Sequence, residues 1–272
     1  MNIYPDVYVL PIPTPTLPPH QHTNSFLVGE KSLFLIDSGL YNEELIKVLL
    51  RYLARNPGSR LEKLFLTHRH PDHRIGAEEI RSRTGCEVGI HRQEADRMQD
   101  LSVDFLFDQG DQFLLDGRVL TVIHTPGHSI GHCCFFLESR AVLFTGDHVL
   151  GAGTSIIVPP EGDMSVYMDS LNHLLTYPVQ VLCPGHGPVV WEAKEKIREY
   201  LEHRRKREAA ILLGLEKGLT SIEALVTRIY TDVPGFMHGM AWFSVQAHLI
   251  KLEREGKVRK KEDDEGYEII RY

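Results

Sequence analysis

The stretch that decides the fold is Thr67-His68-Arg69-His70-Pro71-Asp72-His73-Arg74-Ile75-Gly76, which follows the apolar run Leu64-Phe65-Leu66. The apolar run predicts a buried strand, and the stretch after it predicts a loop with Pro71 in the bend. Three imidazoles and a carboxylate lie within this loop, and no thiolate is nearby. Such nitrogen and oxygen donors suit zinc, and also iron or manganese, in an open, reactive site. We therefore predict a metal centre, with a His-rich surface loop that binds metal by accident as the alternative.

Three further motifs place histidine or aspartate beside glycine after an apolar run. They are Thr125-Pro126-Gly127-His128, Thr145-Gly146-Asp147-His148 and Pro184-Gly185-His186-Gly187. Sharp glycine-containing loops let side chains from distant segments converge on one sheet edge. The sequence thus indicates a site that the fold assembles.

In this order, the four motifs resemble the signature of the metallo-β-lactamase superfamily, over residues 4–190. The resemblance implies an α/β fold, the αββα sandwich of two mixed β-sheets flanked by helices. It also implies a ligand set for two metals, with Asp147 as the bridge. The two sets of terminal ligands are His68, His70 and His128 on one metal, and Asp72, His73 and His186 on the other. We expect two zinc ions, with iron or manganese possible, because the second ligand is His70 and not a carboxylate.

Asp37 follows the predicted strand over residues 33–36. In the family that this chain resembles, a carboxylate at this position supports the metal-ligand loop. A metal-binding imidazole needs an acceptor for its other ring N–H, and a carboxylate supplies one. An ordinary turn is the alternative interpretation of Asp37.

A closer likeness is to the β-lactamase-like protein 2 group. It is carried by HTNSFLVG at residues 22–29, by GDHVLGAGT at residues 146–154, and by the C-terminal extension. The group includes an endoribonuclease, and its relatives include thioesterases that act on acyl chains bound to a carrier protein. The likeness therefore implies hydrolysis but leaves two substrate classes open.

The sequence pattern of the C-terminal part indicates a separate module. Residues 192–216 predict one long helix with a basic run at 203–207, and two further helices and a hairpin around residues 263–266 follow. That order is typical of a winged helix. We therefore predict a catalytic domain at 1–190, and a linker helix with a winged-helix-like domain at 191–272.

The helix predicted over residues 240–253 has one apolar stripe, formed by Trp242, Val245, Leu249 and Leu252. This stripe should face inward, which turns the residues on the other side outward. Those predicted outward residues are Ser244, Ala247, Lys251 and Arg254. With Lys257, Arg259, Lys260 and the basic residues 204–207, they can form a basic track for a phosphate backbone.

Composition limits the function classes. The chain has 272 residues, 42% of them hydrophobic, and a formal net charge of −7, which argues against a protein that is basic throughout. No apolar run approaches the roughly 18 residues of a membrane helix, and the start lacks the pattern of a secretory signal. We expect a cytoplasmic protein without membrane contact. Its four cysteines lack a Cys-x-x-Cys pair, so we expect buried, reduced thiols.

The predicted mechanism uses a metal-bridging hydroxide as the nucleophile, because zinc lowers the pKa of bound water to about 7. Asp72 and Asp147 act through the metals. His132 and His148 are candidates for the proton donor to the leaving group, with a structural role as the alternative for each.

The leading hypothesis is a phosphodiesterase of the endoribonuclease kind that acts on single-stranded RNA. The competing hypothesis is a thioesterase acting on an acyl carrier protein or on a small acyl substrate, in which the C-terminal module covers the site or forms a homodimer. A lactonase or an enzyme similar to glyoxalase II is a third choice. A non-catalytic nucleic-acid binder is disfavoured because all seven ligand positions are filled.

Overall fold

The computed structural model describes residues 2–16, 20–98, 100–231, 234–262 and 266–270. Contacts between residues divide the chain into two compact units. The first unit comprises the described residues of Met1–Thr125, Ile130–Thr154 and Tyr177–Lys194, and the second those of Pro126–Ser129, Ser155–Thr176 and Glu195–Tyr272. The second unit thus includes two segments, 126–129 and 155–176, that precede the predicted boundary at residue 190.

The first unit contains two mixed β-sheets. The first sheet, within the described residues, consists of β1 (Asn2–Tyr4), β2 (Val7–Pro13), β3 (His22–Gly29), β4 (Ser32–Ile36), β5 (Arg60–Phe65), β6 (Glu87–His91) and β7 (Phe105–Phe107), in this order. Strands β1 to β4 are antiparallel, and β4 to β7 are parallel. The apolar run at residues 64–66 therefore ends a central strand of this sheet, as its composition predicts.

The second sheet has the strand order β12-β11-β10-β9-β8. Its strands are β8 (Gln112–Leu115), β9 (Arg118–His124), β10 (Cys133–Leu137), β11 (Val142–Gly146) and β12 (Val181–Pro184). Only the pairing of β11 with β12 is parallel among the described strands. Asp147 follows β11 and His186 follows β12, so these two ligand motifs begin at the ends of neighbouring parallel strands.

Phenylalanine side chains from both sheets share one hydrophobic cluster, in which the ring of Phe65 lies 5.3 Å from that of Phe135. A second cluster joins strands of the first sheet to helices α1 (Glu43–Arg55) and α3 (Ala77–Thr84). Asn42 caps α1 by accepting the backbone N–H of Leu45 through its side-chain oxygen. Two short helices, α2 (Pro71–Arg74) and α4 (Arg92–Ala95), follow β5 and β6.

The second unit is built around four helices and a hairpin. They are α5 (Met164–Leu174), α6 (Ala193–Glu216), α7 (Ile222–Ile229), α8 (His238–Arg254), β13 (Val258–Lys260) and β14 (Tyr267–Ile269). The hairpin is antiparallel as predicted, and its turn residues 263–265 lie outside the described residues. Although α6 has 24 residues, neither it nor any other helix in the described ranges is apolar enough to cross a membrane.

The predicted outward face of α8 is wrong at three of its four residues, and the fourth, Arg254, is exposed as predicted. Val245, Leu249 and Leu252 face the hydrophobic core as predicted, but Ser244, Ala247 and Lys251 are buried as well. The reason is that α8 has neighbours on two sides, since the Lys251 ammonium lies 2.8 Å from a Glu208 carboxylate oxygen on α6. A single apolar stripe does not reveal a second face made of small and paired polar residues.

Candidate metal centre

The predicted ligand loop follows β5 directly. His68 is fully buried, and α2 begins at Pro71, so that Asp72 and His73 lie in its first turn. Proline suits the first helical position because the N–H that it lacks has no partner there. A short helix, not an irregular loop, therefore sets the direction of the Asp72 and His73 side chains.

Asp37 holds this loop through three contacts. One carboxylate oxygen accepts the backbone N–H of Thr67 at 2.8 Å. The other accepts the Thr67 hydroxyl at 2.9 Å and lies 2.8 Å from His73 Nδ1. Because Nδ1–H donates to the carboxylate, Nε2 of His73 is left to bind a metal. The supporting role predicted for Asp37 is confirmed.

The Thr67 hydroxyl links Asp37 to His68 and so orients the His68 ring. Its hydroxyl donates to Asp37 and lies 3.0 Å from Nδ1 of His68. A hydroxyl that donates to a carboxylate is available to accept from an imidazole N–H. With Nδ1 as the donor, the lone pair of His68 lies on Nε2, which is 2.9 Å from Nδ1 of His70.

His186 is fixed by the first sheet. Its Nδ1 lies 2.8 Å from the carbonyl oxygen of His22, and the side-chain amide of Asn24 donates to the carbonyls of Pro184 and Gly187, each at 2.9 Å. These bonds orient the loop after β12 and leave His186 Nε2 to bind a metal. Residues 22–24, the HTN sequence, therefore support the loop that contains His186.

Gly185 lets that loop lie against the site. A Cβ atom at this position would be 2.7 Å from Cε1 of His73 and 3.0 Å from an Asp147 carboxylate oxygen. Real Cβ atoms essentially never come as close as the first of these distances. The glycine is therefore required for a close approach.

His132 contacts the backbone of Asp147. It is fully buried, and its Nε2 accepts the Asp147 backbone N–H at 3.2 Å. Its Nδ1 lies 2.9 Å from the Thr125 hydroxyl. These contacts engage both ring nitrogens and favour a positioning role for His132. His148 is also fully buried, and its role as a proton donor stays a prediction.

The ligand atoms are spaced as a metal requires. Nε2 of His73 lies 3.2 Å from Oδ1 of Asp147 and 3.7 Å from Oδ2 of Asp72. Nε2 of His186 lies 3.4 Å from Oδ1 of Asp147 and 3.2 Å from Oδ2 of Asp72. Tetrahedral zinc with bonds of about 2.0–2.1 Å separates its ligand atoms by about 3.3 Å. Two sets, His68 with His73 and Asp147, and Asp72 with His73 and His186, have all their ligand atoms within 4.8 Å of one another. The site therefore fits divalent metal ions, and Asp147 has the neighbours that a bridging ligand needs.

His128 lies in the second unit. Its Nδ1 is 2.8 Å from the carbonyl oxygen of Ile156, so Nδ1 carries the proton and the lone pair lies on Nε2. The turn before it is tight, because Gly127 has a φ of +126°, a conformation that L side chains rarely adopt. The assignment of His128 as a ligand stays a prediction.

When no metal is bound, the carboxylates of the site favour the protonated forms of its histidines. Burial lowers the pKa of His73, but the carboxylates of Asp147, Asp37 and Asp72 outweigh it and raise the pKa well above its usual value. Burial also lowers the pKa of His186, and Asp147 and Asp72 again more than offset it. Metal binding must displace such protons, so metal affinity and pH are coupled.

Sequence reasoning missed His20. Its ring lies 5.6 Å from that of His186, at the edge of the site. Burial lowers the pKa of His20, as does the neighbouring His186. The spacing of His20 and His22 is the available signal, but His20 follows the proline-rich residues 11–19, whose composition is typical of an extended loop.

Two family models match the chain. The model described as "Metallo-beta-lactamase superfamily" matches residues 18–186, and that described as "Beta-lactamase associated winged helix domain" matches residues 221–266. The chain is 33% identical to a "Beta-lactamase-like protein 2 homolog" of Caenorhabditis elegans, over 88% of this chain and 81% of that protein. It is 29% identical to an "Atrochrysone carboxyl ACP thioesterase" of Aspergillus chevalieri, over 88% of this chain and 78% of that protein.

A solved structure shares this architecture. It is the crystal structure of a metallo-beta-lactamase family protein from Thermus thermophilus, with a TM-score of 0.80, 21% identity, and coverage of 99% of this chain and 100% of that one. At this identity the likeness shows the fold alone. Together with the family matches, it confirms the predicted fold class, an α/β fold with two mixed sheets and helices, followed by a C-terminal winged helix.

Proposed function

Because this chain belongs to the metallo-beta-lactamase superfamily of hydrolases, we propose that it hydrolyses acyl thioesters at a centre of two divalent metal ions. The acyl group is carried by an acyl carrier protein or by a small thiol. This order reverses the one that the sequence alone favours, where single-stranded RNA leads.

The proposed ligand set is the one implied by the family motifs. His68, His70 and His128 would hold one metal, Asp72, His73 and His186 would hold the second, and Asp147 would be shared by both. Two divalent ions, with zinc as the leading choice, would make hydroxide available near neutral pH and polarise the scissile carbonyl.

The residues around the proposed ligands orient them. Asp37 fixes the tautomer of His73, and the His22 carbonyl fixes that of His186. His132 holds the Asp147 backbone at the end of β11. Fixed ligands need no reorganisation when the substrate reacts, and this lowers the barrier.

The choice of substrate rests on the burial of two basic residues, Lys251 and Arg204, that belong to the predicted RNA-binding track. The Lys251 side chain is 10% exposed and lies between the carboxylates of Glu208 and Glu255, at 2.8 Å and 2.6 Å. Arg204, within the basic run of α6, is 1% exposed. Removing Lys251 would take its ammonium, 2.8 Å away, from the largely buried Glu208 carboxylate, which costs about 3–5 kcal/mol.

Other cations of the predicted track are paired at the surface. The pairs are Arg254 with Asp163, Lys257 with Glu255, and Arg259 with Glu268. Exposed pairs are worth only about 0–1 kcal/mol, so a polyanion can break them. The interruption of the track therefore depends on Lys251 and Arg204. An uncharged thioester requires no such track.

Single-stranded RNA remains the second candidate. The observation in its favour is the winged-helix match at residues 221–266, because such modules commonly bind nucleic acids. Arg205 and Lys206 are exposed on α6, and Lys206 pairs at the surface, with Glu202 at 3.7 Å, so a phosphate can reach both cations.

The deciding experiment offers both substrate classes to the same metal-replete protein. Acyl-carrier-protein thioesters and small acyl thioesters are assayed for thiol release, and end-labelled single-stranded RNA for cleavage. Asp147→Ala is the matched control, because it removes the bridging carboxylate. We expect thiol release by the wild type and its loss in Asp147→Ala. RNA cleavage that Asp147→Ala abolishes, together with intact thioesters, would establish the second candidate.

A further inference from the structure

Arg204 is a fully buried cation on α6, with 1% of its surface exposed. Burying a guanidinium costs several kcal/mol unless its N–H groups and charge find partners. Here Nη2 donates to the carbonyl oxygen of Ser155, and the guanidinium carbon lies 5.2 Å from the centre of the buried Tyr167 ring. Arg204 therefore joins α6 to the segment at Ser155 and to α5.

Both contacts of Arg204 lie beside supports of His128. Ile156, the residue after Ser155, supplies the carbonyl oxygen 2.8 Å from His128 Nδ1. On the other side, a Cβ atom at Gly127 would be 2.5 Å from Cβ of Tyr167, so the turn that carries His128 lies directly on α5. The backbone N–H of Asp163, the N-cap of α5, donates to the Gly127 carbonyl at 2.9 Å.

We infer that Arg204 is a positioning residue for His128, and that the long C-terminal helix thereby takes part in building the metal centre. Arg204 holds the Ser155 carbonyl, and with it the Ile156 carbonyl that fixes the tautomer of His128. It also holds Tyr167, against which the turn at Gly127 is seated. This inference rests on the proposed role of His128 as a metal ligand.

Arg207, one turn further along α6, provides a matched control. Its Nη1 donates to the carbonyl oxygen of Ile229 at 3.0 Å, and its guanidinium carbon lies 4.1 Å from the centre of the Tyr230 ring. These are the same two kinds of contact, but they join α6 to the end of α7 and not to the supports of His128. Replacing either arginine with methionine therefore removes one carbonyl bond and one ring contact.

The test is zinc affinity, measured by competition with a chromogenic chelator in the wild type, Arg204→Met and Arg207→Met. Loss of a residue that orients a ligand typically weakens metal binding about 10–100-fold. We expect this loss for one zinc equivalent in Arg204→Met, with the other equivalent unchanged, and wild-type binding of both in Arg207→Met. Unchanged affinities in Arg204→Met, or equal losses in the two variants, would overturn the positioning role.

The wild type separates this inference from the proposed centre. If it binds fewer than two equivalents, the centre itself is wrong, and the role of Arg204 fails with it. If it binds two, the variants decide.

Should Arg204→Met lack the circular dichroism of a folded protein, Arg204→Lys becomes the deciding variant. Lysine keeps the charge and can reach the Ser155 carbonyl, but it lacks the planar group that faces Tyr167. We then expect a weakening of the same single equivalent, and wild-type affinity for both would contradict the inference.

Discussion

Asp37→Asn tests the support of the metal centre with the smallest change in shape. Asp37 has a φ of +56°, and asparagine tolerates this left-handed conformation as well as aspartate does. The substitution therefore leaves the backbone unstrained. It replaces a carboxylate that accepts at both oxygens with an amide that accepts at one and donates at the other.

The structure gives the size of the effect. One oxygen of Asp37 accepts the Thr67 backbone N–H, and the other faces the Thr67 hydroxyl and His73 Nδ1. Whichever way the new amide turns, its NH2 group faces at least one buried donor. The loss of one charge-assisted bond costs about 1.5–3 kcal/mol of the free energy of unfolding. If the NH2 group faces His73, the ring binds it through Nδ1 and carries its own proton on Nε2, which blocks the metal.

The assay compares zinc affinity by chelator competition and the stability of the metal-free protein by urea unfolding. For Asp37→Asn we expect a loss in zinc affinity of about 10–100-fold. The control is Asp116→Asn, because Asp116 also has a positive φ of 49° and accepts three backbone N–H bonds, from Glu30, Lys31 and Ser32. Asp116→Asn should lose stability and keep its zinc affinity. Wild-type zinc binding by Asp37→Asn would refute the reasoning.

Three further predictions concern the same residues and the second unit. Gly185→Ala places a methyl group 2.7 Å from a carbon atom of His73. Elemental analysis should therefore find less bound metal, and the free energy of unfolding should fall by about 1–3 kcal/mol. Full metal occupancy would contradict the close contact between residue 185 and His73. Because His73 and His186 have raised pKa values without metal, zinc binding displaces their protons. Zinc affinity should therefore fall by up to about 100-fold for each pH unit below those pKa values. A pH-independent affinity between pH 8 and 6 would exclude the displacement of protons by zinc. Lys251→Met removes the ammonium 2.8 Å from the largely buried Glu208 carboxylate, so urea unfolding should show a loss of about 3–5 kcal/mol with unchanged metal content. Wild-type stability would show that this pair is replaceable.

Much of the candidate site can be predicted from the sequence because its ligands lie in short, contiguous motifs. His68, Asp72 and His73 are close in space largely because they are close in the chain. Asp147 and His186 follow apolar runs that become neighbouring parallel strands, so strand ends bring them together. The supporting role of Asp37 is also predictable, since a metal-binding imidazole needs an acceptor.

The remainder depends on tertiary contacts that periodicity does not encode. A helix pattern identifies the face that contains Leu249, but the burial of Lys251 depends on Glu208, more than 40 residues earlier in the chain. In the same way, a basic run reads as solvated surface, although Arg204 within it is buried against Ser155 and Tyr167. Amphipathic side chains of this kind reveal their partners only in the folded chain.

The central claim, thioester hydrolysis by a two-metal centre, is tested most directly by titrating metal-stripped protein with zinc and following thiol release from an acyl thioester. Seven predicted ligands, including the bridging Asp147, require two ions for a complete centre. We predict no turnover in the stripped protein and a rise to a plateau at two zinc equivalents per chain. Turnover that survives the removal of metal, or no thiol release at any zinc content, would contradict the claim.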